Sequence, residues 1–365
     1  MAVHLITITV LFLNLICSKM KPAVKFLIYS LLLYCIGCQN NEQTTKIEYV
    51  ETFKEDTTVI AKDVNWIDNY QTKGILCIDT FLILLNKKGD FVFDIYNTQQ
   101  KKLITKSGTF GRGPSEFERP RITRQFFKNK KGTFFYLWDD NKRYFYTINL
   151  QKLISGNDFI EKKERLSNKL SFQTQIIKID SIIIGSTMMK EGSIFKYNLI
   201  SSKIDFWPDY PNDEKYKKLN EAERYNLFGK YWIYNEKTQQ LAGSYENGIN
   251  QLGFFNLDGE CLKSIMLPTV DYHFNAKRFN DEAPRYAAGT CGNEETIYVS
   301  YRDHPLKEQH DAKGLICVFD WNGKPIKQYL IKNTLFASFA IDSINNKVYG
   351  YAPDNDNRTI FEFDL

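Results

Sequence analysis

A chain of 365 residues with 25% charged and 15% aromatic side chains carries too much apolar content to be disordered. Its 48 basic and 43 acidic residues leave a net charge of +5 with no clustered basic stripe, which excludes a nucleic-acid surface. Twenty-seven Phe and 22 Tyr, with abundant Ile and Val, suit the pleated, half-buried surfaces of an all-β fold. The length alone suggests two domains, but closed β architectures run longer as single domains.

The first 38 residues read as a leader. From Met20 the order is Lys21, Lys25, the apolar run Phe26 to Tyr34, then Cys35-Ile36-Gly37-Cys38. A basic start, a short apolar stretch and a small residue before the cut describe a secretory signal, and the run is short for a bilayer span. Gly37-Cys38 resembles a bacterial lipobox, which implies lipidation of Cys38; the alternative is an ordinary signal peptide cut near Gly37. Residues 1–19 form a second apolar run, as expected of an upstream start codon ahead of the true start at Met20. Removing the leader, which carries Lys19, Lys21 and Lys25 and no acid, lowers the net charge by three. Residues 39–45 are polar and read as a tether, leaving 46–365 as one domain.

Beyond the leader a phrase recurs: a large apolar residue, Asp or Asn, then another large apolar residue. It reads Phe93-Asp94-Ile95, Ile148-Asn149-Leu150, Tyr197-Asn198-Leu199, Phe255-Asn256-Leu257, Phe319-Asp320-Trp321 and Phe363-Asp364-Leu365. The polar members are 55, 49, 58, 64 and 44 residues apart. A strand-ending phrase at that period marks four-stranded units, and radial closure of six such units is a six-bladed β-propeller of four-stranded antiparallel blades. In the first unit Ile75–Asp79, Leu82–Asn86, Asp90–Tyr96 and Lys102–Lys106 are the strands, with a hairpin turn at Lys87-Lys88-Gly89-Asp90.

The sixth unit supplies three strands, Ala337–Asp342, Lys347–Tyr351 and Thr359–Asp364. Its outer strand is expected from the N-terminal side, where Ile47–Phe53 is apolar and has no partner of its own. That pairing closes the ring and covers an edge. Two connectors are long. Pro208 to Gly229 carries a helix signal with Asn212 as cap and Gly229 as stop, and Leu267 to Gly289 carries His273, Lys277, Arg278 and Arg285. Both join an outer strand to the next inner one, so they share the face at the mouth of the channel.

The most distinctive local motif is Gly108-Thr109-Phe110-Gly111-Arg112-Gly113-Pro114-Ser115-Glu116-Phe117. Its glycines suit either a nest of backbone N–H groups around an anion or a tight inter-blade turn at positive φ. Together with the lipobox and Tyr210-Pro211 ahead of a charged segment, it resembles the six-bladed, TolB-like propeller lipoproteins of Bacteroidota. The resemblance spans the mature chain and implies a cell-envelope propeller held to the membrane by lipid, on either side; it brings no catalytic residues with it.

Arg112, Glu116, Arg121, Arg278 and Arg285 are the candidate ligand-binding residues. Their forked guanidinium groups suit carboxylates or phosphates, so an acidic small molecule, a glycan or an envelope protein is the expected partner. The competing reading is that the arginines tie blades together through local carboxylates. No catalytic motif is present, and no cofactor is predicted. His304 and His310 on one loop fit a polar hairpin tip better than a metal site, and Asp354-Asn355-Asp356-Asn357 lacks the glycine and glutamate of a calcium loop. The alternative function is a metal-dependent hydrolase or lyase with Ca²⁺ in the channel, as in lactonase-type propellers. Cys77, Cys261, Cys291 and Cys317 are not at metal-ligand spacing and read as free thiols.

Overall fold

The computed structural model describes residues 46–69, 71–170, 175–187, 189, 191–207, 219–247, 249–267, 287–301, 314–352 and 359–365. They form six sheets. The first holds β4 (Thr72–Ile78), β5 (Phe81–Asn86), β6 (Phe91–Asn97) and β7 (Lys102–Thr109). The second holds β8 (Pro120–Asn129), β9 (Gly132–Asp139), β10 (Tyr144–Asn149) and β11 (Ile160–Arg165), and the third β12 (Ile176–Ile179), β13 (Ile182–Ser186), β14 (Ile194–Asn198) and β15 (Ile204–Trp207). The fourth is built on β16 (Lys230–Asn235), β17 (Gln240–Tyr245), β18 (Gln251–Phe255) and β19 (Cys261–Met266). The fifth is built on β20 (Ala287–Gly292), β21 (Thr296–Tyr301), β22 (Gly314–Asp320) and β23 (Pro325–Ile331), and the sixth on β24 (Ser338–Asp342), β25 (Lys347–Tyr351) and β26 (Ile360–Asp364).

Each first strand touches the first strand of the next sheet, and β24 returns to β4, so the six inner strands line a closed ring. The fold is a six-bladed β-propeller. Its core is divided: six apolar clusters lie one to each blade interface. That division explains why the strands do not alternate apolar and polar residues. In β5, Leu82 and Leu84 pack toward the sixth blade while Ile83 and Leu85 pack toward the second. A blade buried on both faces reads as a continuous apolar run.

The recurring Asp or Asn has a local cause. Asn149, Asn198 and Asp320 end their third strands, and Asn256 directly follows β18. The Oδ1 atom of each accepts backbone N–H groups of the turn that follows: Lys152 for Asn149, Ile200 and Ser201 for Asn198, Asp258 and Glu260 for Asn256, and Asn322 and Lys324 for Asp320. Such side chains replace a turn's missing backbone partners. In the first blade the role falls to Asn97, which accepts from Gln100, while Asp94 lies inside β6. Asp94 is buried instead among the side-chain amides of Asn69 and Asn86, at 2.9 and 3.0 Å. Asn149 also caps a six-residue helix, α1 (Leu150–Ser155), absent from the sequence reading, which ends on left-handed Gly156.

The N-terminal segment departs from expectation. Ile47–Phe53 does not pair with Thr359–Asp364. β1 (Lys46–Tyr49) adds in parallel to β19, β2 (Glu55–Val59) adds in parallel to β23, and the two residues of β3 (Lys62–Asp63) complete the sixth blade opposite Phe361 and Glu362. The segment is therefore a strap across three successive outer edges, and the fourth and fifth blades have five strands rather than four. The cause is where its apolar side chains find a surface. Val50 and Phe53 pack into the interface of the fourth and fifth blades, with Phe53 edge-on to Phe319 at 5.5 Å, whereas Ile47 is 53% exposed. Beyond β2, the side chain of Asn333 donates to the carbonyl of Ala61 and accepts from its N–H, at 2.7 and 2.9 Å, and so continues the ladder.

The second helix, α2 (Glu221–Phe228), ends before Gly229 as anticipated but starts on Asn220. Asn220 accepts from the Glu223 N–H and Glu223 accepts from the Asn220 N–H, a reciprocal cap. The start expected at Asn212 lies outside the described residues. Among the described residues no helix is long and apolar enough to cross a membrane.

Candidate functional site

Gly108–Phe117 joins β7 to β8, and its own chain satisfies it. The Gly113 N–H donates to the Glu116 carboxylate at 2.6 Å, and a Cβ on Gly111, whose φ is +154°, would overlap that carboxylate. Lys142 donates to the carbonyls of Gly113 and Glu116, both at 2.7 Å. Phe117 is fully buried against Tyr146 and Phe93. The anion in this nest is thus Glu116 itself, and Arg112 projects from it exposed.

A second carboxylate organises the chain just beyond. Asp139, at the end of β9, has no exposed surface and accepts from the N–H groups of Glu118, Arg119, Asn141 and Lys142. Its neighbour Asp140 lies 3.6 Å from Arg119 and 3.4 Å from Arg121. These contacts set Arg119 and Arg121 at the head of β8, where the connector reaches the inner ring.

There a cavity of about 420 Å³ opens, within the size range of small-molecule sites. Its wall comes from the leading ends of inner strands: Lys73 and Gly74 of β4, Arg121 and Ile122 of β8, Tyr231 of β16 and Ser338 of β24. Among the described residues, five cationic side chains, Lys73, Lys87, Arg119, Arg121 and Arg124, line it against one acid, Glu118. Lys73 is half-buried, and its ammonium group lies 5.8 Å over the Phe110 ring. Burial, then the charges of Arg121 and Arg119, push its pKa down to about 8, with Asp139 opposing them. The Nε of Arg121 is buried with no partner.

Arg124 belongs to the same wall. It sits where the β8–β9 register shifts, in a left-handed conformation at φ 63°. Its guanidinium donates to the Thr290 carbonyl of the fifth blade at 2.9 Å and to Ser338 Oγ of the sixth at 2.6 Å. It also lies over the rings of Tyr231 and Phe339. Gly289 is needed opposite, since a Cβ there would fall on the guanidinium. The adjacent Gln125 exchanges hydrogen bonds with the backbone of Lys178 in the third blade. One bulge thereby ties the second blade to the third, fifth and sixth.

Of the residues singled out from sequence, Arg121 lines the cavity, Glu116 is committed to its own loop and Arg112 is exposed elsewhere on that loop. Arg278, Arg285, His304, His310 and Asp354–Asn357 lie outside the described residues. Lys73 had escaped notice as a single charge at the start of an apolar strand. No group of three or more His, Cys, Asp or Glu among the described residues is placed to hold a metal. Cys77, Cys291 and Cys317 are free thiols, Cys77 and Cys317 buried, and burial pushes the Cys291 thiol up to about 12.

Among solved structures the chain is similar to a member of the DUF4221 family from Bacteroides vulgatus, at 13% identity and a TM-score of 0.58, covering 84% of this chain and 97% of that one. It is also similar to the β-propeller domain of Myceliophteria thermophila Cps50 (Swd1), at 10% identity and a TM-score of 0.44, covering 84% of this chain and 100% of that one. These likenesses concern the fold alone. A search of curated protein sequences finds no match. A family model described as TolB-like 6-blade propeller-like matches residues 69–343, from the approach to the first blade through the inner strand of the sixth, and the chain belongs to that family.

Proposed function

We propose that the protein is an envelope-anchored lipoprotein whose propeller is a ligand-binding module, with the cavity at the head of the inner strands as its binding site. The observation that carries this reading is convergence: polar side chains from four different blades meet around one cavity of small-molecule size. Pockets with a few convergent polar groups on a rigid scaffold are where propellers and barrels take ligands. The alternative of a channel Ca²⁺ and hydrolase or lyase chemistry has less support, because among the described residues a dication there would meet five cationic side chains and one carboxylate.

Gln175 lines the cavity without contributing charge, so Gln175→Trp fills the space and leaves the electrostatics alone. In a thermal-shift and calorimetric screen of neutral sugars, acidic sugars, amino acids and phosphorylated metabolites, at least one class should bind the wild type and fail to bind Gln175→Trp. Ligands that bind both proteins equally, or a panel that binds neither, would defeat the assignment of the cavity.

The anchor rests on Gly37-Cys38. Cys38→Ala should leave the protein without lipid and move it from the membrane to the soluble envelope fraction. Unchanged mass and fractionation would remove the lipoprotein reading while leaving the cavity untouched.

A further inference from the structure

We propose that the cavity selects small polyanions, molecules of the size of a phosphorylated or carboxylated sugar, and that Lys73 and Arg121 are the residues that recognise the anionic group, with Arg124 in the same wall. The inference rests on the cavity being the binding site and goes further by fixing the charge of what enters.

Three observations support it. The first is the imbalance of the wall, in which five cationic side chains stand against Glu118 among the described residues. Two carboxylates behind the wall offset it in part, Asp139 under four backbone N–H groups and Asp140 paired with Arg119 and Arg121 at 3.6 and 3.4 Å, and the cationic side chains still outnumber the acids. The second is Arg121, which lines the cavity with its side chain 28% exposed and gives one terminal nitrogen to Asp140 at 3.4 Å, so its guanidinium fork is only partly committed. The third is Lys73, whose nearest charges are Arg121 and Arg119 from the head of β8 and Asp139 from β9, with the Phe110 ring beside it. A lysine held in desolvated surroundings beside two arginines, with Asp139 opposing them, gains from an incoming anion. A phosphate or carboxylate presents the flat or tripodal oxygen acceptors that an arginine fork reads in pairs.

Arg124 is pinned in the wall by its bonds to Thr290 and Ser338, so it contributes fixed positive potential.

The sign of the pH dependence follows. The protonated Lys73 binds the anion, so affinity should be full below about pH 8 and fall as pH rises through that value. Arginines keep their charge over this range.

The test is calorimetric titration of the full mature protein with glucose 6-phosphate, digalacturonate and inorganic phosphate, each set against an uncharged counterpart, glucose, digalactose or none. At least one anion should bind ten-fold or more tightly than its neutral counterpart, weaken with added salt, and weaken with rising pH. Lys73→Met should lose at least ten-fold in affinity and flatten the pH profile while melting no earlier than the wild type. Arg121→Lys, which keeps the charge and loses the fork, should weaken binding with the fold retained. Preference among the sugar phosphate, the uronate and free phosphate identifies the anionic group. Neutral sugars binding as well as the anions would overturn this inference and leave the cavity reading standing. Anion binding unchanged in both variants would place the anion elsewhere and also overturn it. Failure of every probe, charged and neutral, would count against the cavity as a binding site.

Discussion

Glu164, on the outer strand of the second blade, is held by two lysines. Lys162 donates to one carboxylate oxygen at 2.6 Å and Lys178 to the other. Burial alone would raise its pKa, but these hydrogen bonds outweigh it and keep the carboxyl below the usual range. Lys178 is only 6% exposed at its side chain and also lies over the rings of Tyr136 and Phe145, so it cannot turn to water if its partner is lost. A carboxyl with a lowered folded pKa stabilises the fold above its unfolded value, about 4.5, and loses that contribution as pH falls further. Glu164→Gln should therefore cost about 1–3 kcal/mol at pH 7 and progressively less toward pH 3. Thermal melts at the two pH values check this; a gap that stays constant would show the pair to be inert.

Residues of this kind were only partly legible in the sequence. Asn149, Asn198, Asn256 and Asp320 announced themselves because a turn needs an acceptor at the same place in every blade. Lys73 did not, because it is a single side chain whose meaning depends on neighbours far away in the chain. Glu116 was visible as part of a distinctive motif, yet its spacing is the same whether the nest holds a ligand or its own carboxylate. Only the conformation distinguishes the two.

At the scale of elements, four of the outer edges are protected in two ways. β11 reads Ile-Glu-Lys-Lys-Glu-Arg and β7 carries Lys102 and Lys106, charges that keep an open edge from recruiting another strand. β19 and β23 are more apolar, and the strap covers them. Deleting residues 46–53 uncovers β19 and withdraws Val50 and Phe53 from their interface, whereas trimming 39–45 should cost nothing. Truncations of large buried side chains cost about 2–5 kcal/mol each, so the first deletion should lower the melting temperature sharply and raise the tendency to aggregate. Equal melting of the two truncations would mean that the strap is dispensable. The strap was legible as a strand without a partner; its partners were not, since parallel addition to an edge has no turn to set its register and leaves no local signature.

At the scale of the whole molecule, the propeller could be read because its unit repeats. One requirement, a turn-capping residue after a strand buried on both faces, returns in the first five blades and produces a period that composition alone cannot hide. The location of the cavity was legible in part, since connectors from outer to inner strands must share a face, and the leading ends of β4, β8, β16 and β24 meet there. Its lining was not, because it is assembled from one or two residues per blade.

The strap also sets the order in which the molecule can be finished. Ala61 and Asn333, which hold one end of it, are 272 residues apart in sequence. The strap is made early and must wait for β19, β23 and β26, the last of its partners, before it has anything to pair with. Ring closure is thus a late, long-range event, and contacts of large sequence separation fold slowly. A circular permutant that moves residues 45–64 behind Leu365, through a linker long enough to run from the sixth blade back to the fourth, would shorten the sequence separation of the strap from its partners. It should refold about ten-fold faster or more by stopped-flow fluorescence, with an unfolding rate close to that of the parent. Until the strap docks, the apolar edges of the fourth and fifth blades stand open, so the half-made protein, rather than the finished one, is the form that needs a chaperone.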